Sequence, residues 1–196
     1  MKSKISIVRK ELLEAEALIH SLASDDEFLS DVAEIATQLT SALKHGNKVL
    51  TCGNGGSASD ALHIAGEIVG RFQAERKAYR AIALNSDIAT MTAIANDYGF
   101  ESILERQVEG LLDEGDVLLG LSTSGNSENI IRAFKKAREL GGVTVLLAGR
   151  DGGELKELSD YAIVIPHQVT AHIQEAHECV YHILCGLIEE ALSNDA

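Results

Sequence analysis

The chain has 196 residues, with 45% hydrophobic and 24% charged residues. That length suits one domain with a full core, and that composition suits a soluble globular protein. The net charge of −13 excludes the basic footprint of a nucleic-acid-binding protein. With only 17 Lys plus Arg, an anionic ligand would be held mainly by backbone N–H groups, hydroxyls and helix N-termini. No apolar run is long enough for a membrane span, and Met1–Lys4 shows no signal-peptide pattern. Cys52, Cys179 and Cys185 form no spaced framework, so reduced thiols in a cytoplasmic protein are expected.

In chain order, residues 3–22 are helical in pattern, with Ile5, Val8, Leu12, Ala15, Leu18 and Leu22 three and four apart. Ser24-Asp25-Asp26-Glu27 matches a capping box opening a second helix that runs to about Lys44, with Gly46 as its stop. These two helices are expected to cover a sheet face or to form an oligomer interface. Lys48–Cys52 reads as the first strand, Tyr79–Leu84 as the second, Asp116–Leu121 as the third, Val143–Leu147 as the fourth and Tyr161–Ile165 as the fifth. Between them lie a helix ending near Gly70, helical segments near 87–95 and 101–112 separated by residues 96–100, a helix from Glu128 to Leu140 and a short helix after Asp151-Gly152-Gly153. A last helix, 171–191, has Thr170 as its candidate cap. Strands alternating with helices predict an α/β fold, a parallel sheet with helices on both faces. Ligands bind such sheets beyond the carboxyl ends of the strands, near a topological switch point.

Two loops leave strand carboxyl ends. Gly53-Asn54-Gly55-Gly56-Ser57 removes side chains where a backbone turns tightly or approaches a ligand; it matches neither the dinucleotide fingerprint nor the P-loop lysine signature. A tight turn without a ligand remains an alternative. Ser122-Thr123-Ser124-Gly125-Asn126-Ser127 puts four hydroxyls at a helix N-terminus, more than capping requires, and suggests a phosphate monoester. His63 and Glu67 share a helix face at i and i+4, which fits either a structural pair, metal ligation or acid–base chemistry. On the last helix, Gln174, Glu178 and His182 share a slowly drifting face, and His182 borders the apolar stripe as a partly buried imidazole, which taken alone reads first as a satisfied core histidine.

Together, Gly-Asn-Gly-Gly-Ser, His63-x3-Glu67, Asn96-Asp97, Ser-Thr-Ser-Gly-Asn-Ser and Ile173-Gln174-Glu175 with His182 resemble the sugar isomerase (SIS) domain and, within it, the phosphoheptose isomerases. The resemblance covers nearly the whole chain. It implies a three-layer, flavodoxin-like sandwich with a five-stranded parallel sheet: a single SIS domain over 1–196, in which helices 1–45 serve packing and oligomerisation. The implied activity is conversion of sedoheptulose 7-phosphate to D-glycero-D-manno-heptose 7-phosphate. That is the first step toward nucleotide-activated heptoses for lipopolysaccharide or other surface glycans. By resemblance, Asn54, Gly55, Gly56, Ser57, Glu67, Asn96, Asp97, Ser122, Thr123, Ser124, Ser127 and Gln174 fall at substrate-contacting positions. His63, Glu67, Gln174 and His182 fall at positions for one Zn2+ per subunit, Glu67 at that of the general base and His182 at that of the acid. The implied assembly is a homotetramer with active sites at subunit interfaces.

Aldose–ketose isomerisation needs a base, an acid and a stabiliser of the enediolate oxygen, which these residue types supply. Gln174 and His182 lie about 12 Å apart along a straight helix, so either long side chains converge on one ion or the ligands come from two chains. The chain departs from the family pattern at Ala171, where some members are acidic, and at His172, where many carry arginine; both departures bear on the sugar contacts. A non-catalytic SIS tetramer that binds a replication initiator would share the fold but lack the acid–base pair. A SIS protein for another phosphosugar is the remaining alternative.

Overall fold

Strand residues of alternating direction build two apolar cores on one sheet. In a computed structural model, which describes residues 2–193, the strands are β1 (Val49–Cys52), β2 (Ala81–Ala83), β3 (Val117–Ser122), β4 (Val143–Gly149) and β5 (Tyr161–Ile165). Met1 and residues 194–196, the ends of the expected domain, lie outside the described residues. All four strand pairings are parallel, in the order β2-β1-β3-β4-β5. Val49, Val117, Leu119, Val145 and Leu147 point into one core, with α1 (Lys2–Leu22), α2 (Asp26–Lys44), α3 (Gly56–Val69) and α8 (Thr170–Ser193). Leu50, Leu118, Leu146 and Ala148 point into the other, with α4 (Ile88–Tyr98), α5 (Glu105–Leu111), α6 (Glu128–Glu139) and α7 (Gly153–Leu158). The three-layer α/β sandwich expected from the strand–helix alternation is therefore the observed fold. Gly120 lets α6 approach the sheet: a Cβ there would lie 2.5 Å from the Phe134 ring.

Local boundaries differ from the sequence reading where side chains compete for backbone groups. Asp25, not Ser24, caps α2, its Oδ1 accepting from the N–H groups of Glu27 (3.1 Å) and Phe28 (3.2 Å). Ser24 still belongs to the exit of α1 and donates its hydroxyl to His20 O at 2.9 Å. α4 runs through Asn96 and Asp97, expected as a loop, and stops only at Gly99, whose φ of 91° suits glycine. β2 shrinks to three residues, consistent with an edge strand paired on one side only. Thr170 is the first residue of α8, not its preceding cap.

The N-terminal helices divide their roles. α2 buries Val32, Ile35, Ala36, Leu39 and Leu43 against the sheet and α8. Among the described residues α1 contributes only Leu18 and Leu22 to the core, while Ile5, Val8 and Leu12 of the same stripe stay exposed. Among the described residues no helix is long and apolar enough to cross a membrane.

Candidate active site

The switch point of this strand order lies between β1 and β3, where Cys52 pairs with Gly120. Both glycine- and serine-rich loops leave the sheet there, and two asparagines join them. Asn54 and Asn129 exchange reciprocal amide hydrogen bonds of 2.9 Å. In the first loop, Gly53 donates to Asn85 Oδ1 (3.1 Å) and accepts from Asn85 Nδ2 (3.0 Å). A Cβ on Gly53 would sit 2.3 Å from Ser57 O, so only glycine permits this turn into α3. α3 begins after Gly55 with no side-chain cap, which leaves its first N–H groups facing the crevice.

The second loop is braced from behind. Gly125, at φ +67°, donates its N–H to Ser122 O (3.1 Å) and Ser122 Oγ (3.2 Å). Its carbonyl accepts from Leu155 N at 3.0 Å, and Asn126 Oδ1 accepts from Glu154 N at 3.0 Å. The Asp151-Gly152-Gly153 turn thus packs directly on the loop, so closely that a Cβ on Gly125 would lie 1.9 Å from Gly152 O. Ser127 occupies the N-cap position of α6 yet makes no capping hydrogen bond; its hydroxyl faces Ser122 Oγ at 3.2 Å. Capping alone therefore does not account for this run of hydroxyls.

α3 and α8 run side by side in the same direction, and their facing stripes hold the ionisable groups. Near the first turn, Gln174 lies over Gly56, where a Cβ would come within 2.2 Å of its Nε2, and hydrogen-bonds Asp60. Asp60 is buried, with Oδ2 lacking a partner. Burial pushes its carboxyl up, the Glu178 charge adds to this, and the Gln174 bond and His63 act the other way. Two turns further, His63 Nε2 lies 3.0 Å from Glu67 Oε1 and His63 Nδ1 lies 3.0 Å from the Tyr181 hydroxyl. A carboxylate only accepts, so in the neutral ring Nε2–H donates to Glu67 and Tyr181 donates to Nδ1. Burial raises the Tyr181 pKa, with Glu178 and Asp60 adding to it, so the phenol keeps its proton. His182 packs edge-on against His63 (5.0 Å between centroids) and Tyr181 (4.7 Å) and stacks on Phe72 (5.8 Å).

Phe72 is held by a buried anchor. Glu189 accepts the N–H groups of Phe72 (2.8 Å), Gln73 (2.7 Å) and Ala74 (2.6 Å). Burial pushes the Glu189 carboxyl up, but those N–H groups and Arg76 outweigh it and hold it below the usual range. Arg76 in turn donates to the carbonyls of Glu67 (2.7 Å) and Ile68 (3.0 Å), closing the end of α3 that carries Glu67.

The structure thus brings both Glu67 and His182 against His63. Among the His, Cys, Asp and Glu side chains of the described residues, Glu178 joins His63 and His182, with ligand atoms within 4.8 Å of one another, while Gln174 lies over Gly56 nearer the start of α3. Gln174 precedes His182 by two turns, whereas Glu178 is one turn away and faces the same side. Two imidazoles and a carboxylate make a donor set suited to zinc. Asn96 and Asp97 stand exposed on the last turn of α4, bonded to each other at 2.8 Å. Asp60 and Tyr181 were not singled out from the sequence. Asp60 had a signal, since it lies three and seven residues before His63 and Glu67 on one stripe; Tyr181 had none.

Comparison with known proteins agrees with this geometry. Residues 14–149 match the SIS domain family. The chain is 50% identical to phosphoheptose isomerase of Aquifex aeolicus over 169 residues, 86% of this chain and 88% of the relative. It is also 50% identical to that of Helicobacter pylori strain P12, over 93% of this chain and 94% of the relative. The structure of phosphoheptose isomerase from Neisseria gonorrhoeae superposes with a TM-score of 0.89 at 37% identity, covering 94% of this chain and 98% of that one. The chain belongs to the phosphoheptose isomerases of the SIS domain family and is a sugar-phosphate isomerase.

Proposed function

We propose that the chain converts sedoheptulose 7-phosphate to D-glycero-D-manno-heptose 7-phosphate through an enediolate. The observation that carries this reading is the placement of His63, Glu67 and His182 on two parallel helices, one of which starts at the glycine loop of the crevice. In this reading the phosphate sits on Ser122, Thr123, Ser124 and Ser127, where hydroxyls and the N-terminus of α6 favour an anion. Asn54, Gly55, Gly56, Ser57 and Gln174 hold the sugar hydroxyls. The rise along α3 from Gly56 to His63 is about 10 Å, comparable to the length of an extended heptose chain.

Glu67 takes a proton from C1 of the ketose and returns one to C2, while His182 protonates O2 as the proton on O1 leaves. Tyr181 and His63 orient Glu67 through their hydrogen-bond chain, and Phe72 fixes the His182 ring by stacking. His63, Glu67 and His182, with Glu178 or Gln174 completing the set, would hold Zn2+ once His63 gave up one of its two hydrogen bonds to free a ring nitrogen, and the bound ion would polarise the carbonyl. The product would feed nucleotide-activated heptose synthesis in the cytoplasm.

The active unit is proposed to be a homotetramer. The exposed apolar stripe of α1 and the half-open cluster, with the His63 side chain 42% exposed, support a site completed by a neighbouring chain. Asn96 and Asp97 would then meet substrate across such an interface. The substrate assignment is tested by comparing kcat/KM for sedoheptulose 7-phosphate and fructose 6-phosphate. Preference for the heptulose is expected; equal or better turnover of the hexulose contradicts the assignment.

A further inference from the structure

Away from the crevice, α1 and the first turn of α8 bring together a second set of ligand atoms. His172 is 3% exposed. Its Nδ1 lies 2.8 Å from Glu175 Oε2, an acceptor, which places the proton on Nδ1 and leaves the Nε2 lone pair free in the neutral ring. Nε2 is buried and makes no hydrogen bond. It points between two carboxylates of α1, with Glu11 Oε2 at 3.4 Å and Glu14 Oε2 at 3.7 Å. Glu11 and Glu14 are three residues apart, so they share one helix face, and the three ligand atoms lie within 4.8 Å of one another.

These separations are long for a hydrogen bond but fit a shared cation. Donors bound at about 2.1 Å in a tetrahedron stand about 3.4 Å apart. A histidine whose other nitrogen donates to a carboxylate is the usual orientation of a metal-binding imidazole. Three carboxylates surrounding one imidazole, in a chain of net charge −13, also favour a positive ion. The site has a structural consequence. Of its described residues α1 sends only Leu18 and Leu22 into the core, and both lie in its last turns. A cation on Glu11, Glu14 and His172 would fasten the middle of α1 to the start of α8.

We propose that Glu11, Glu14 and His172 form a second divalent-cation site, distinct from the His63–Glu178–His182 group, that clasps α1 onto α8. One imidazole and two carboxylates suit a first-row divalent ion, with zinc the best match. The test uses full-length protein stripped with chelator, dialysed against Zn2+ and measured by elemental analysis. The Glu11→Gln/Glu14→Gln variant changes exposed side chains and keeps the fold. It is expected to retain one zinc equivalent per chain less than wild type, to keep isomerase activity, and to lose the zinc-dependent protection of α1 from proteolysis. The His182→Gln variant, altered in the other group, is expected to keep that equivalent and that protection, which separates this site from the proposed active-site metal. Equal zinc content in wild type and the Glu11→Gln/Glu14→Gln variant would overturn the proposal. So would α1 protection that does not respond to zinc, the outcome if His172 were simply a protonated ring among carboxylates.

Discussion

The Ser122–Ser127 loop and the His63–Glu67–His182 cluster are built in opposite ways. The loop is contiguous in sequence, made of backbone and short hydroxyls, and braced by a second glycine turn with Leu155 N and Glu154 N as donors. The cluster uses long side chains from two helices whose partners are more than 100 residues apart, and His63 is 42% exposed at its side chain. Binding an unreactive phosphate calls for a rigid cradle, whereas moving protons calls for ionisable groups that reach a reacting carbon. Loop changes should therefore act on fold or affinity, and cluster changes on turnover.

The largest expected effect is on the cluster. Glu67→Gln should lower kcat by about 10²–10⁴-fold with an unchanged thermal midpoint, and His182→Gln should do the same. Steady-state kinetics giving near-normal kcat in Glu67→Gln would contradict its assignment as base. Thorough chelation with elemental analysis separates the regions again: activity is expected to fall and to return with Zn2+, whereas phosphate protection of the loop should not change.

The loop should break by sterics. Gly125→Ala meets Gly152 O at 1.9 Å as well as an unfavourable φ of +67°, so little soluble folded protein is expected. Gly55→Ala, in the other loop, has a similar φ, +59°, but nothing within 4 Å of the added Cβ, and should cost only about 1–3 kcal/mol by chemical denaturation. Similar losses in the two variants would show that backbone conformation, not the close approach of Gly152, governs the loop. Thr123→Val removes one hydroxyl from the proposed phosphate cradle. It should raise KM by roughly 10- to 100-fold, the value of one hydrogen bond to a charged group, while leaving kcat within a few-fold.

A smaller effect concerns the sheet beneath both regions. His177 is fully buried on α8, and burial pushes its imidazole down to about 4 despite its hydrogen bond to Ala148 O at 2.9 Å. Below the unfolded value near 6.5 the unfolded chain takes up a proton that the folded chain refuses. Stability of roughly 3 kcal/mol is thus present above pH 6.5 and lost as pH falls toward 4. His177→Gln keeps a donor for Ala148 but does not titrate, so its denaturation midpoint should fall less steeply across that window. Parallel profiles would contradict the effect.

Sequence alone made one region far more legible than the other. The Ser122–Ser127 run announces itself because its six residues are adjacent, and the alternating strands and helices gave the sheet its class. The register between α3 and α8 has no local signature. Hence Gln174 is grouped with His182 only by resemblance, and the approach of Glu178 to His63 and His182, and of Gln174 to Gly56 and Asp60, has no signal in the sequence. The α1 stripe is legible only as far as its period goes: the period marks an apolar face, but whether Ile5, Val8 and Leu12 meet this chain's core or another surface is not a property of the period. Ser24 lost its expected cap because α1 still claims its hydroxyl.

The most direct test of the proposed chemistry is isomerisation of sedoheptulose 7-phosphate in D2O, followed by NMR. Deuterium at C2 of the heptose 7-phosphate from wild type, with neither product nor exchange from Glu67→Gln, is the predicted result. Product formed at full rate without C2 deuterium would argue against a solvent-exchanging enediolate, and unchanged incorporation by Glu67→Gln would contradict the role given to the carboxylate beside His63.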